Sequence, residues 1–337
     1  MNSGGMTSGS ITRRGFAWLA CGAGVLPATA WSAQAAVWRL ATGYPAENFH
    51  TANLLAMAKE VEAATGGQLR IEVHPGNTLF ALNAIRAAVQ EGKVEAGEAI
   101  MSSLAADVPL AGADSVPFIT RSYADAQLLW RIQRPLIEQD FAQRGLRVLY
   151  AVAWPPQGLF STRPLGGVGD LRGMRMRAYN DTTARIATLM GAVPVDVPAT
   201  GLGKALAEGR IDCMLTSAVT GVENQAWQSM RHFYEINAWF PKNLVFVNAR
   251  AWDGLDPSSR SSLAAACAVA ETRGWARSAE AAARSTDELR RNGIRLEPVP
   301  FLLGRDLQRL GENFSLNWVK QVGTAANGIF IPYFEKR

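Results

Sequence analysis

Short apolar segments alternate with helical segments along most of this chain, and this alternation constrains the fold more than any other feature. Residues 69–73 alternate apolar and polar side chains, whereas residues 50–64 and 123–144 carry apolar stripes at helical spacing. The helical segments that separate successive predicted strands are long enough to serve as crossover connections. They favour β–α–β units, with a largely parallel sheet covered by helices. The predicted strands span residues 37–41, 69–73, 95–100, 148–153, 174–178, 193–197, 211–215 and 244–248.

A long proline-free segment follows the last of these strands. Asp256 and Pro257 suit the N-cap and first position of a helix, and no proline occurs from there to Asn292. One unbroken helix of this length would extend roughly 50 Å at 1.5 Å per residue, enough to lie across two lobes. The alternative is two helices divided near Gly274, a residue that could also bend a single helix.

The N-terminal segment has the pattern of an export signal. Arg13 and Arg14 precede an apolar run over residues 16–31, and Ala33-Gln34-Ala35 matches a small-x-small cleavage site. The paired arginines predict a twin-arginine signal peptide over residues 1–35, cleaved near Ala35, and a periplasmic mature protein. The apolar run is too short for a typical transmembrane helix. Lipidation at Cys21 is an alternative.

Composition and residue spacing argue against several classes of function. The net charge is only +5 over 337 residues and the basic residues are dispersed, so no nucleic-acid groove is predicted. Three His and three Cys without CxxC, HExxH or His-x-His spacing predict neither a metal site nor a cofactor. Cys213 and Cys267 lie in apolar runs and are predicted to be buried free thiols. The sequence has no GxSxG elbow and no GxGxxG after a strand.

The strongest local indication of a binding site is Arg177, at the carboxyl end of the predicted strand 174–178. A helix capped by Asn180 or Asp181 follows, so its free N–H groups should point into the same region. Ligands of open α/β sheets bind outside the carboxyl ends of strands, and a guanidinium matches the two oxygens of a carboxylate. The alternative is that Arg177 is an ordinary surface arginine.

Other strand ends also carry polar or aromatic residues. Thr216 and Ser217 follow one predicted strand and Ser102 follows another, although Ser and Thr are also ordinary turn residues. Trp154 and Gln157 flank two prolines after the strand 148–153. Trp239 and Asn243 stand in a similar segment, where the tryptophans could line a pocket or pack between domains.

Several motifs, in order along the chain, resemble the DctP-type solute-binding proteins of TRAP transporters. They lie at residues 73–76, 116–118, 170–177, 191–194, 205–212 and 243–252. The resemblance implies two α/β lobes with mixed, mostly parallel sheets, a long helix spanning both lobes, and hinge closure over an organic acid. The family's signature arginine matches Arg177, which would pair with the ligand carboxylate. The protein would then be a binding protein rather than an enzyme.

The chain departs from the family pattern in ways that affect the expected ligand. Where many members carry Asp-Gly-x-Glu, this chain has Asp212-Cys-Met-Leu-Thr-Ser217, so an acidic residue that assists metal binding in some relatives is missing. The resemblance therefore favours a monocarboxylate, including aromatic, α-keto or α-hydroxy acids. Predicted hydrogen-bonding residues are Tyr179, Asn180, Gln157, Thr216, Ser217, Ser102 and Asn243, and predicted apolar walls are Trp154 and Trp239.

The resemblance also suggests a domain division and partners. Lobe I is predicted from residues 36–154 and 243–282, and lobe II from residues 155–242 and 283–337. The expected partners are a small organic acid and the membrane subunits of a TRAP transporter, with the binding protein as a monomer. Alternatives are C4-dicarboxylate binding, ligand sensing for a membrane receptor, and an exported hydrolase or redox enzyme.

Overall fold

Two mixed β-sheets flanked by helices organise the chain. The computed structural model describes residues 35–337, together with residues 1, 4–7 and 9. The strands are β1 Ala36–Ala41, β2 Leu69–His74, β3 Ala96–Ile100, β4 Leu146–Ala153, β5 Gly158–Ser161, β6 Arg175–Ala178, β7 Val193–Asp196, β8 Cys213–Thr216, β9 His232–Tyr234, β10 Lys242–Asn248 and β11 Arg295–Glu297. The α-helices are α1 Phe49–Ala64, α2 Ile85–Gln90, α3 Tyr123–Gln143, α4 Asp181–Leu189, α5 Leu202–Ala207, α6 Ala218–Glu223, α7 Ala249–Asp253, α8 Pro257–Arg291, α9 Phe301–Val322 and α10 Asn327–Lys336.

The first sheet has the order β2-β1-β3-β10-β4. Strands β1, β2 and β3 are parallel, whereas β10 runs antiparallel to both β3 and β4. The side chains of β10 alternate between two cores, as a period of two requires. Val245 and Val247 pack with α1 and α8, and Leu244 and Phe246 pack with α2 and α3.

The second sheet has the order β11-β9-β5-β8-β6-β7. Strand β6 is parallel to β7 and β8, and β5 is antiparallel to β8 and β9. Its central strands are also buried on two faces, because Leu215 packs with residues of α4 and α9 while Met214 packs with residues of α5. The predicted α/β fold with mixed sheets is thus confirmed, although the short strands β5, β9 and β11 were not predicted.

Two chain segments that connect the sheets run side by side. Residues 154–157 lead from β4 to β5, and residues 235–241 lead from β9 back to β10. The Trp154 N–H donates to the Pro241 carbonyl at 2.7 Å and the Gln157 N–H donates to the Trp239 carbonyl at 2.9 Å. The Ala238 N–H donates back to the Gln157 carbonyl at 2.9 Å. These hydrogen bonds hold the two connecting segments against each other.

Helix α8 is a single helix of 35 residues, as the first of the two alternatives predicts. Asp256 caps it by accepting the N–H groups of Ser258 and Ser259 at 2.9 and 3.0 Å. The helix packs on α1 and β4 of the first sheet and on α6, which follows β8 of the second. Gly274 does not divide the helix. A Cβ atom there would lie 2.3 Å from Val152 Cγ2, so this glycine permits close packing on β4.

We expect Gly274→Ala to lower the free energy of unfolding by about 1–2 kcal/mol, because the overpacking cost exceeds the gain in helix propensity. Chemical denaturation measures the change. Gly304→Ala is the matched control, since a Cβ on that helical glycine meets nothing closer than 3.6 Å and should leave stability equal or higher. Adding Val152→Ala to Gly274→Ala should recover part of the loss. A Gly274→Ala variant as stable as wild type would contradict the close-packing explanation.

Several expectations concern other parts of the chain. The predicted signal peptide, with Arg13, Arg14 and Cys21, lies outside the described residues. Cys213 and Cys267 are buried and unpaired, as predicted. Among the described residues, no helix is both long and apolar enough to cross a membrane. Residues 35–337 form one compact unit, and the lobe boundaries stay a prediction.

Candidate functional site

A cavity of about 490 Å³ opens where chain segments leave the two sheets. The first sheet contributes Tyr44 after β1 and the turn residues around Leu82. The second sheet contributes residues at or after the carboxyl ends of β6, β7 and β8. The full lining is Tyr44, Asn77, Ala81, Leu82, Asn83, Ile100, Ser103, Trp154, Gln157, Arg177, Tyr179, Asp196, Pro198, Ala199, Thr200, Thr216, Thr220 and Pro241.

Arg177 is the one basic residue in this lining, and its side chain is only 4% exposed. Its Nε donates to the Val197 carbonyl at 2.9 Å, and its Nη1 lies 3.5 Å from Thr216 Oγ1. The guanidinium carbon lies 4.9 Å from the centre of the Tyr179 ring. Burial lowers the pKa of Arg177 to about 10, so the side chain remains charged at neutral pH. Within residues 35–337 the guanidinium forms no ion pair, and a buried charge without a counter-ion is costly.

The aromatic wall of the cavity is held in place by Asn243. Trp154 Nε1 donates to Asn243 Oδ1 at 2.8 Å, and the Tyr44 hydroxyl donates to the same oxygen at 3.4 Å. The two rings pack with their centroids 5.1 Å apart. Asn243 itself is fully buried and does not line the cavity, so it positions the wall from behind.

A buried acid, Glu98 on β3, lies near this wall. Thr42 Oγ1 donates to Glu98 Oε2 at 2.6 Å, and His50 Nδ1 lies 3.5 Å from Glu98 Oε1. Burial raises the pKa of Glu98 to about 7 and lowers that of His50, so burial disfavours the charged form of each side chain. Neither Glu98 nor His50 was predicted as a site residue. The available indication was a glutamate in the middle of the predicted strand 95–100, between small and apolar residues.

Five of the ten residues predicted for the site line the cavity: Arg177, Tyr179, Trp154, Gln157 and Thr216. The other five lie around it. Ser217 caps α6 by accepting the Thr220 N–H, and Trp239 is buried in the core of the second sheet. Asn243 holds the aromatic wall, and Asn180 donates to Ser102 Oγ at 3.0 Å. The direct ligand contacts assigned to these residues stay a prediction.

Several lining residues were not predicted. Tyr44 follows the first predicted strand in a Gly-Tyr-Pro turn, and Asp196 ends β7 beside the strand that carries Arg177. Asn77 belongs to the first sheet's connections, and Thr220 belongs to α6. The position of Asp196 at a strand end could have identified it as a site residue. The position of Asn77 depends instead on how the loop that contains it folds over the cavity.

Comparison with known proteins gives consistent matches. Residues 40–300 match the family model DctP, described as bacterial extracellular solute-binding protein, family 7. A solute-binding protein of Albidiferax ferrireducens is 26% identical over 166 residues, so the match spans about half (48%) of each chain.

Solved structures that match about nine-tenths of the chain include two solute-binding proteins that bind pyroglutamate. Bordetella pertussis DctP6, an extracytoplasmic solute receptor binding pyroglutamic acid, is 36% identical with a TM-score of 0.87, over 89% of this chain and 100% of its own. A marine metagenome TRAP solute-binding protein specific for pyroglutamate, solved with co-purified pyroglutamate, is 34% identical with a TM-score of 0.86. That match covers 90% of this chain and 99% of the metagenome protein.

Proposed function

Because this chain belongs to the DctP family of bacterial extracellular solute-binding proteins, we propose that it captures a small organic monocarboxylate in the cavity around Arg177. The captured acid is then delivered to the membrane subunits of a TRAP-type transporter. The observation that carries the proposal is the buried Arg177 guanidinium, which faces the cavity without an acidic partner in residues 35–337. A ligand carboxylate would supply the missing negative charge.

The geometry of Arg177 favours a carboxylate over other anions. Its Nε is committed to the Val197 carbonyl, which fixes the plane of the guanidinium and leaves the Nη groups for the ligand. Paired N–H donors match the two oxygens of a carboxylate, and such charge-assisted bonds are about twice as strong as neutral ones. Thr216, beside Nη1, can donate its hydroxyl to the same carboxylate.

The charges of the lining favour one carboxylate rather than two. Arg177 is its one cationic side chain, and Asp196 adds a negative charge. A C4-dicarboxylate would leave its second carboxylate without a cation and in a cavity that already holds Asp196. A neutral amide or lactam end is compatible with the tyrosine, glutamine and threonine side chains of the lining. We therefore propose pyroglutamate, the ligand of the two similar receptors, as the first acid to test.

Thermal shift and calorimetry test this proposal with a matched ligand set. L-pyroglutamate should raise the melting temperature, since a hundredfold excess over Kd stabilises a protein by about 2.7 kcal/mol. The compound 2-pyrrolidone has the same ring without the carboxylate and should give no shift. Succinate should bind more weakly than L-pyroglutamate. Equal shifts with 2-pyrrolidone and L-pyroglutamate would contradict the role of Arg177, and a preference for succinate would contradict the monocarboxylate assignment.

The remaining features belong to the same proposal. Residues 1–35 act as a twin-arginine signal peptide cleaved near Ala35, and the mature protein works in the periplasm as a monomer without catalytic activity. Its two lobes are residues 36–154 with 243–282, and residues 155–242 with 283–337. The family membership supports an extracytoplasmic binding role, and the paired connections at residues 154–157 and 235–241 are compatible with a hinge.

A further inference from the structure

Two side-chain hydrogen bonds join elements of one sheet to elements of the other. Asn48, which follows β1 of the first sheet, donates through Nδ2 to Glu223 Oε1 on α6 at 2.8 Å. Asn180, which follows β6 of the second sheet, donates through Nδ2 to Ser102 Oγ after β3 at 3.0 Å. None of these four residues lines the cavity, but Ser103, Tyr179 and Thr220, which lie close to three of them in the sequence, do.

The two donors share an unusual arrangement. Both asparagines are N-caps, so each side-chain oxygen is already committed to its own helix. Asn48 Oδ1 accepts the His50 N–H and Asn180 Oδ1 accepts the Thr183 N–H, both at 2.9 Å. Capping therefore fixes the orientation of each amide and points its NH₂ group at the opposite side. Because both amide groups are already oriented, little further side-chain ordering is needed when the segments from the two sheets meet.

The acceptor Glu223 is well placed to hold α6 against the first sheet. Burial raises the pKa of this carboxylate, while the bond from Asn48 lowers it, and no cation pairs with it within residues 35–337. One turn earlier on α6, Val219 packs with Tyr44 and Trp154, and Thr220 lines the cavity. Moving α6 away from the first sheet would break the hydrogen bond between Asn48 and Glu223 and would open the cavity at the same time.

We propose that Asn48–Glu223 and Asn180–Ser102 are two latches that stabilise the closed form of the cleft, both in the ligand-free protein and around the bound acid. Each latch joins a segment that follows a strand of one sheet to a segment that follows a strand of the other. It therefore exists only when the cleft is closed, and water replaces it when the cleft opens. A bond made in one conformation shifts the population toward that conformation and raises the apparent affinity. Asn48, Glu223, Asn180 and Ser102 are thus positioning residues. The affinity arm of the test below rests on the proposed function.

Asn48→Asp is the most selective test of the first latch. Aspartate caps a helix as well as asparagine does, but it has no NH₂ donor and brings a negative charge against Glu223. We expect L-pyroglutamate binding measured by calorimetry at pH 7.5 to weaken by about 10- to 100-fold. Glu223→Gln keeps an acceptor without the charge and should weaken binding by about three- to tenfold.

The double variant Asn48→Asp/Glu223→Gln reverses the bond, since the glutamine NH₂ can donate to the new carboxylate. Most of the affinity lost in Asn48→Asp should return. A loss without recovery in the double variant would show that the effect does not pass through this bond and would overturn the latch. Ser102→Ala tests the second latch, with an expected loss of about three- to tenfold. Unchanged affinity there would overturn that latch.

Asn248→Asp is the matched control. Asn248 is also an N-cap, of α7, but its Nδ2 donates to the carbonyl of Val89 on α2. Both residues belong to elements of the first sheet and the helices that pack on it. This substitution removes a buried donor in the same way, so it should lower stability while leaving the affinity for L-pyroglutamate unchanged. A similar loss of affinity in this variant would assign the Asn48 effect to general destabilisation and overturn the latch.

A distance measurement tests the Asn48–Glu223 latch independently of which acid the protein binds. Spin labels on Lys59→Cys and Lys204→Cys report across the two sheets, and the native Cys213 and Cys267 are buried. Asn48→Asp should lengthen the distance distribution relative to wild type, with and without L-pyroglutamate. Identical distributions would overturn the latch. Failure of the wild type to bind L-pyroglutamate would refute the proposed ligand, and the ligand-free distributions would still decide about the latch.

Discussion

Arg177→Met should weaken the binding of L-pyroglutamate by about 30- to 1,000-fold, which corresponds to roughly 2–4 kcal/mol. The carboxylate would lose a bidentate, charge-assisted partner in a site that holds no second cation. Arg177→Lys keeps the positive charge but not the planar fork, so its affinity should fall between those of wild type and Arg177→Met. Calorimetric titration of the three proteins gives the ranking.

Although Arg177→Met should weaken binding, it should not lower the stability of the ligand-free protein. The guanidinium is buried without a counter-ion among residues 35–337, so its removal also removes a desolvation cost. We expect Arg177→Met to be as stable as wild type or more stable in chemical denaturation without ligand. A large loss of stability would mean that Arg177 mainly supports the fold. Retained affinity for the acid would contradict its role as the carboxylate anchor.

Lys242→Met should lower the free energy of unfolding by about 3–5 kcal/mol, because it leaves the Asp114 carboxylate buried without its cation. Lys242 begins β10 at the end of the second connection between the sheets, and its side chain is 0% exposed. Its Nζ lies 3.5 Å from Asp114 Oδ2, and its N–H donates to the same oxygen at 2.7 Å. Burial raises the pKa of Asp114 and lowers that of Lys242, and each charge opposes the shift of the other.

The double variant Asp114→Asn/Lys242→Met provides the control for this pair. Asparagine can still accept the backbone N–H of residue 242, and methionine fills the space of the lysine stem. We expect the double variant to be markedly more stable than Lys242→Met, since no unpaired charge remains. Chemical denaturation of both variants at pH 7 measures the difference. If Lys242→Met costs less than about 1 kcal/mol, the buried pair does not stabilise this connection.

Local patterns were sufficient to predict much of the fold and the position of Arg177 at a strand end. Asp256, the following proline and the proline-free run predicted one long helix, which α8 is. The cap at Asn180 and the position of Arg177 at a strand end depend on residues close in sequence, and both lie where expected. Short strands such as β9, with three residues, carry too little periodicity to be recognised.

The amino-acid sequence by itself determined the alternation of strands and helices, the helix caps, the family and the place of an arginine at a strand end, because each depends on short-range patterns or ordered motifs. Only the tertiary structure decided what surrounds that arginine. Asn243 holds Trp154 from 89 positions away, and Asn48 meets Glu223 from 175 positions away. Such contacts arise where loops from two sheets converge, and convergence depends on the packing of the whole chain rather than on any local segment.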